Sequence, residues 1–381
     1  MAEARDIPTF SDVDPADWQA LERSGNPFLE YAFLAGLERS GSIGVHAGWH
    51  PHHLAIFDGG RLLAFAPTYA KDNSHGEFVF DWAWADAYQR HGAVYYPKLL
   101  TGVPYTPVTG PRLLVSKDSE QPAALKRALA EFAIAQCREQ DFSTWHCNFL
   151  TPEDDDALSG TGLLARRDWQ FHWLNRGYDS FDAFLESFRS RKRKNVRRER
   201  QRVAAAGVSF EWKSGDDLEP ADLDFVYHCY LATFRNYGNY PALQRSFFCT
   251  LARELGAGLQ VVFALRGDES IAMAMFLAGG GRLYGRYWGC TEELPGLHFE
   301  TAYYQGIEFC IKNGVDVFES GAQGEHKIPR GFLPTRTRSR HHVEHPLFRE
   351  AIARHLAQEK RLIDGIHEDL ERLSPYRRDG R

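Results

Sequence analysis

Residues 259–290, LQVVFALRGDESIAMAMFLAGGGRLYGRYWGC, decide the fold. Three runs rich in β-branched, aromatic and small apolar residues are punctuated by Arg266-Gly267-Asp268 and by Gly279-Gly280-Gly281, which predicts three consecutive strands in a meander. A helical pattern follows over 298–313, with apolar or small residues at 299, 302, 303, 306, 307 and 310, and it stops at Asn313-Gly314. A strand over 315–319 comes next. Towards the N-terminus the spacing predicts a strand over 170–174 and one long helix over 181–206, closed by Gly207 as a left-handed cap. A strand over 208–213 and helices over 220–235 and 243–255 lead into the meander.

The first half repeats this grammar. Asn26 caps a helix over 26–39 with Pro27 at its first position. Two apolar runs flank the hairpin turn Asp58-Gly59-Gly60, and a helix over 121–140 and a strand over 143–150 follow. The acidic run Glu153-Asp154-Asp155-Asp156 and the glycines after it read as a linker over 152–169. After His342 one charged helix covers 347–370. Strands alternating with helices in both halves predict an α/β (α+β) protein of two related units: 1–160, 161–345 carrying the basic helix 184–206, and a C-terminal helix and tail, 346–381.

Composition bounds the class. The chain has 381 residues, 43% hydrophobic and 25% charged, as ordinary globular proteins do. No run approaches 18 apolar residues and the acidic N-terminus lacks an apolar core, so a cytoplasmic location is expected. The six cysteines show no zinc spacing and read as reduced, buried thiols. Net charge is -6, yet residues 189–202, RSRKRKNVRRERQR, hold nine basic side chains and one acid. Such a run presents itself to a polyanion, with Arg191, Lys192, Arg193, Lys194, Arg197 and Arg198 as phosphate or RNA contacts, unless it is only a solvated face. It lacks the apolar face of an interfacial helix, which disfavours a membrane surface.

Residues 318–332, FESGAQGEHKIPRGF, gather acids, an imidazole and cations in a Gly-rich turn directly after a short strand, where α/β proteins place reactive groups. The inventory suits acylation of an amine. An amine arrives as ammonium, with a lysine-like pKa of about 10.4, so a base must take its proton. Glu319, Glu325 and His326 are the candidates. Backbone N–H groups near Gly321 and Gly324, or the Lys327 ammonium, are candidate donors to a tetrahedral oxyanion. The bland alternative pairs Glu319 with Lys327 or Arg330 in a plain turn. Arg286 and Trp288 on a strand, and Glu300, Tyr303 and Tyr304 at a helix start, are expected to wall a substrate site together with Lys327 and Arg330, unless the aromatics are simply core. In the first half Glu77, Asp81, Tyr96, Lys98, Thr106 and Thr109 suit acceptor binding, although the prolines around them serve equally as turns. Cys290 and His298 lack a thiol-protease arrangement. The clusters His46, His50, His52, His53 and His341, His342, His345 lack a partner motif, so no metal is expected.

Five motifs tie these features together: KDNSHGEFVFDWAWADAY (71–88), YYPKLLTGVPYTPVTGPRLL (95–114), RSRKRKNVRRER (189–200), GRYWGCTEELPGLHFETAYYQGIEFCI (285–311) and FESGAQGEHKIPRGFLPTRTRS (318–339). In this order they resemble the FemAB-like family of predicted N-acyltransferases, also described as peptidoglycan biosynthesis/recognition proteins, over about residues 26–363. Asn73 departs from the pattern, where a histidine is expected. The resemblance implies two tandem GNAT-like (Fem-type) domains with mixed central sheets flanked by helices. It implies an acyl or aminoacyl group transferred to a small-molecule or peptide amine, with acyl-CoA or aminoacyl-tRNA as donor. Arg282-Leu283-Tyr284-Gly285 begins a GNAT pyrophosphate loop and does not complete it, whereas a tRNA donor fits the basic run. A non-catalytic tRNA-binding protein and a silent scaffold of the same fold are the other classes.

Overall fold

In the computed structural model, which describes residues 2–236, 238–322 and 324–377, the chain divides into two units. One is Met1–Trp169 with Arg336–Gly365, the other Gln170–Thr335 with Ile366–Arg381. The sequence placed the first break at 160/161 and set 346–381 apart as a tail. Packing groups the stretch after Arg336 with the first unit and the chain end with the second, and residues 378–381 of that tail lie outside the described residues.

The first unit contains β1 (Glu3–Ile7), β2 (Trp49–Pro51), β3 (His53–Asp58), β4 (Arg61–Ala66), β5 (Thr68–Lys71), β6 (Lys98–Thr101), β7 (Leu114–Val115) and β8 (Thr144–Asn148). An antiparallel sheet runs β1-β3-β4-β7. Gly59 and Gly60, at φ of 57° and 84°, supply the left-handed turn that joins β3 to β4. A second run orders β8-β6-β5-β2, with β6 parallel to β8. The helix Pro122–Glu139 buries Leu129, Ala130, Ala133 and Cys137 against Leu54, Ile56, Leu99 and Trp145. A side chain such as Leu129 contributes about 1.5–3 kcal/mol on burial.

The second unit orders its strands β10-β11-β12-β13-β14-β9, where β9 is Leu164–Leu174, of which the part from Gln170 belongs to this unit, β10 Val208–Ser214, β11 Leu259–Arg266, β12 Glu269–Gly279, β13 Arg282–Cys290 and β14 Val317–Glu319. The meander is present as read, β11 to β13, and β13 pairs parallel with β14 only from Arg282↔Val317 to Tyr284↔Glu319. Beyond Tyr284 β13 continues to Cys290 while β14 has ended. Arg286 is the extra residue of a bulge there, since Met275 faces Tyr287 and Phe276 faces Gly285.

Four readings need correction. The helix expected over 181–206 is two, Phe181–Glu186 and Ser190–Ala205. At the break the Arg189 N–H donates to the Pro375 carbonyl and Ser187 accepts from the Arg377 N–H, both at 2.9 Å, so the chain end takes bonds that a continuous helix would use. The helix over 298–313 carries a π-turn, Glu300–Tyr304, before Gln305–Asn313. The supposed linker holds a helix, Pro152–Ala157, capped by Thr151, and the start of β9. Its acids are structural: Asp154 accepts from the Arg112 N–H at 2.7 Å and from Lys126 at 2.6 Å. Asn26 caps a 3-10 turn, Pro27–Leu29, and the α-helix begins only at Tyr31. A further strand, β15 (Leu333–Val343), was missed; its Ser339–Val343 part pairs with β8 and turns polar Ser339 and His341 inward, which hides the usual apolar alternation. Among the described residues no helix is long and apolar enough to cross a membrane.

Candidate functional site

In the second unit the end of β14 opens into the Gly-rich loop. Glu319, its last residue, is buried and accepts from Arg282 Nη1 at 2.9 Å, with His172 Nε2 3.6 Å from its other oxygen. Burial, helped by Arg282 and Lys327, pushes the His172 imidazole down to about 3, so it is neutral beside the carboxylate. Gly321 and Gly324, at φ of 93° and 116°, let the loop fold back. A Cβ on Gly324 would lie 2.3 Å from His326 Cε1. The 3-10 turn Glu325–Arg330 then presents Glu325 and His326 to solvent and buries Lys327 and Arg330.

His326 Nε2 and the Tyr303 hydroxyl are 3.0 Å apart. Partial burial and the Lys327 and Arg330 charges lower its pKa below 6.5, leaving a neutral, accessible imidazole at pH 7. Lys327 donates to the Gly321 carbonyl at 2.7 Å, and burial brings its pKa down to about 7. Arg330 pairs with Glu199 at 2.8 Å, donates to the His326 carbonyl at 2.6 Å and lies over the Phe299 ring. The expected walls separate into two kinds. Trp288 lines a cavity of about 560 Å³ with Cys290, Glu293, Pro295 and His298, and Arg286 lies half-buried at the β13 bulge. Glu300 and Tyr304 are buried; Glu300 is held by Arg200 at 2.8 Å and Tyr304 donates to Glu199.

The basic helix sorts its charges by face. Val196 and Val203 face the core, Arg200 turns in to Glu300 and Glu308, and the helix's one acid, Glu199, is taken by Tyr304 and Arg330. Arg197 reaches Asp182 at 2.9 Å. Ser190, Arg191, Lys194, Asn195 and Arg198, at helical spacing, line an open cleft of about 350 Å³. Among the described residues no carboxylate lies within ion-pair distance of Arg191, Lys192, Arg193, Lys194 or Arg198.

The first unit brings together Glu77, Asp81, Tyr96 and Lys98. Lys98 Nζ donates to Ser74 at 2.9 Å, to Glu77 at 2.8 Å and to Asp81. Tyr96 reaches Ser74 at 2.8 Å, and Tyr95 donates to Asp81 at 2.5 Å. His146 lies 3.2 Å from the Tyr95 hydroxyl and 2.9 Å from His341. Ser74, Tyr95, His146 and His341 were missed as partners; no local signal exists, because they come from β8, β15 and separate loops. Thr106 instead donates to the Pro104 carbonyl within a turn. Among the described residues no group of three or more His, Cys, Asp and Glu side chains is placed to hold a metal ion.

Solved structures share the fold. FemX is 12% identical with a TM-score of 0.53, over 92% of this chain and 100% of that one. L-PGS from Bacillus licheniformis is 11% identical with a TM-score of 0.52, over 94% and 99%. The C-terminal domain of a putative lysylphosphatidylglycerol synthetase from Agrobacterium fabrum is 12% identical with a TM-score of 0.52, over 85% and 90%. The expected α/β architecture, two units with mixed sheets flanked by helices in a Fem-type fold, is thereby met. No curated protein sequence matches. The family model FemAB-like, described as peptidoglycan biosynthesis/recognition, matches residues 9–378, and the chain belongs to that family.

Proposed function

We propose that this chain is an N-acyltransferase that moves an acyl or aminoacyl group from a carrier to an amine. The observation that carries the reading is His326: a neutral, solvent-accessible imidazole on the loop after the shortened β14, held by Tyr303 and flanked by Lys327. In the step envisaged His326 takes a proton from the ammonium acceptor, and the free amine attacks the carbonyl carbon. The C–N bond forms as the bond to the carrier oxygen or sulfur breaks, and the carrier leaves with a proton. Loop N–H groups around Gly321 and Gly324 suit the oxyanion. Glu319, tied to Arg282, braces the strand end.

Between acyl-CoA and aminoacyl-tRNA, the turn before the helix favours the second. The incomplete loop at Arg282–Gly285 offers no pyrophosphate cradle, and the turn 291–296 before the helix carries Glu292, Glu293 and Pro295, whereas a pyrophosphate at a helix start needs free N–H groups and no carboxylates. The outward cations Arg191, Lys194 and Arg198 suit an RNA backbone. A non-catalytic RNA-binding protein is the second reading, favoured by that same face alone.

The test supplies total aminoacylated tRNA and, separately, acetyl-CoA with a lysine-containing peptide, and follows acylated peptide by mass spectrometry. Transfer from tRNA that His326→Gln reduces by about 10²-fold or more supports the proposal. Equal rates in both proteins, or tRNA binding without any turnover, would sink it. Replacing Arg191, Lys194 and Arg198 by Gln is expected to flatten the salt dependence of tRNA binding by about two units of slope.

A further inference from the structure

The polar cluster of the first unit is not needed for the chemistry above, yet it buries three charged side chains side by side. Lys98 is 0% exposed, Asp81 1% and Glu77 4%. Buried charges are retained where they are paired or where they serve a ligand. Here the pairing is incomplete. Lys98 spends its three N–H bonds on Ser74, Glu77 and Asp81, and Tyr95 spends its hydroxyl on Asp81. Glu77 Oε1 and Asp81 Oδ1 are still buried without a hydrogen-bond partner. What these two oxygens lack is donors. An anion would bring more acceptors to oxygens already in excess. Burial, with the Asp81 charge beside it, pushes the Glu77 carboxyl up to about 7 despite Lys98, while Lys98 and His146 hold the Asp81 carboxyl well below the usual range despite its burial.

The segment that carries both acids also carries aromatic rings on its outside. Phe78, Phe80 and Trp82 are 36%, 46% and 44% exposed, alternating with buried Glu77 and Asp81. Half-buried Tyr96 is bonded to Ser74, itself a partner of Lys98. Carboxylate oxygens short of donors, beneath a segment rich in exposed aromatic faces, match one ligand chemistry, since ring faces attract cations. We propose that this cluster binds an alkylammonium group, its N–H donors meeting Glu77 and Asp81 and its carbon chain passing the aromatic residues 78–82. The inference stands whether or not the chain is a transferase.

Calorimetric titration of the full chain with putrescine, and with butane-1,4-diol as its uncharged analogue, tests this. Saturable binding of the diamine alone is expected, weakened about tenfold by Glu77→Gln. Should that buried variant fail to fold, Phe80→Ala with Trp82→Ala alters exposed positions only and is expected to weaken binding about threefold with Tm unchanged. No putrescine binding at millimolar concentration, equal binding of the diol, or binding untouched by the aromatic substitutions would overturn the proposal.

Discussion

Lys98 in the first unit and Lys327 in the second are both buried, and they sit in opposite electrostatic settings. Burial alone would lower the pKa of Lys98, but Glu77 and Asp81 outweigh it and hold the ammonium above its usual 10.5. Lys327 has a carbonyl, Gly321, as its bonded partner, and burial brings it down to about 7. The first lysine is the cation that keeps two interior carboxylates tolerable. The second is a strained ammonium beside an exposed histidine, the kind of group a reaction can use. Burial of a lysine therefore says little until its partners are known.

The sharpest way to break this comparison is Lys98→Met, which leaves two carboxylates buried without their cation. It is expected to cost about 3–5 kcal/mol in urea unfolding; a loss below about 1 kcal/mol would mean the cluster is wetter and looser than its geometry. Next comes His326→Gln. It should lower transfer by about 10²-fold, near 3 kcal/mol of barrier, with unfolding unchanged. Wild-type rate should also fall with acid below 6.5, a limb that the variant lacks.

Lys327→Met reverses the sign seen at Lys98. Because the folded pKa of Lys327 lies below the unfolded value, the unfolded chain binds more protons between about 7 and 10.5, and stability from this group rises with pH across that window. The variant should be more stable than wild type at pH 6 by more than about 1 kcal/mol, and the gain should shrink towards pH 10. A variant less stable at pH 6 would show that the Gly321 bond outweighs desolvation. The smallest effect belongs to Arg197→Gln. Its pair with Asp182 is exposed, so stability should move by no more than about 0.5 kcal/mol, in contrast to Arg200, which holds buried Glu300.

Much of the fold is legible in the residues. The meander, the Asp58-Gly59-Gly60 hairpin and the helix ended by Gly314 follow from periodicity and turn chemistry, which act over a few residues. The misreadings share a cause. The helix break at Phe188, the structural use of Asp154 and strand β15 each depend on partners distant in sequence: the chain end, Arg112 with Lys126, and β8.

The same division holds for the sites. The sequence by itself determined the chemical inventory: the loop with Glu319, Glu325, His326, Lys327 and Arg330, the basic run, and the acids and lysine of the first unit. Only the tertiary structure decided what each group is for. It chose Arg282 as partner of Glu319, turned Arg200 and Glu199 inward while leaving Arg191, Lys194 and Arg198 outside, and set His146 and His341 beside Tyr95 and Asp81. The reason is physical. A side chain's charge, pKa and reach depend on its desolvation and on neighbours a few ångströms away, and in a folded chain most of those neighbours come from elsewhere in the sequence.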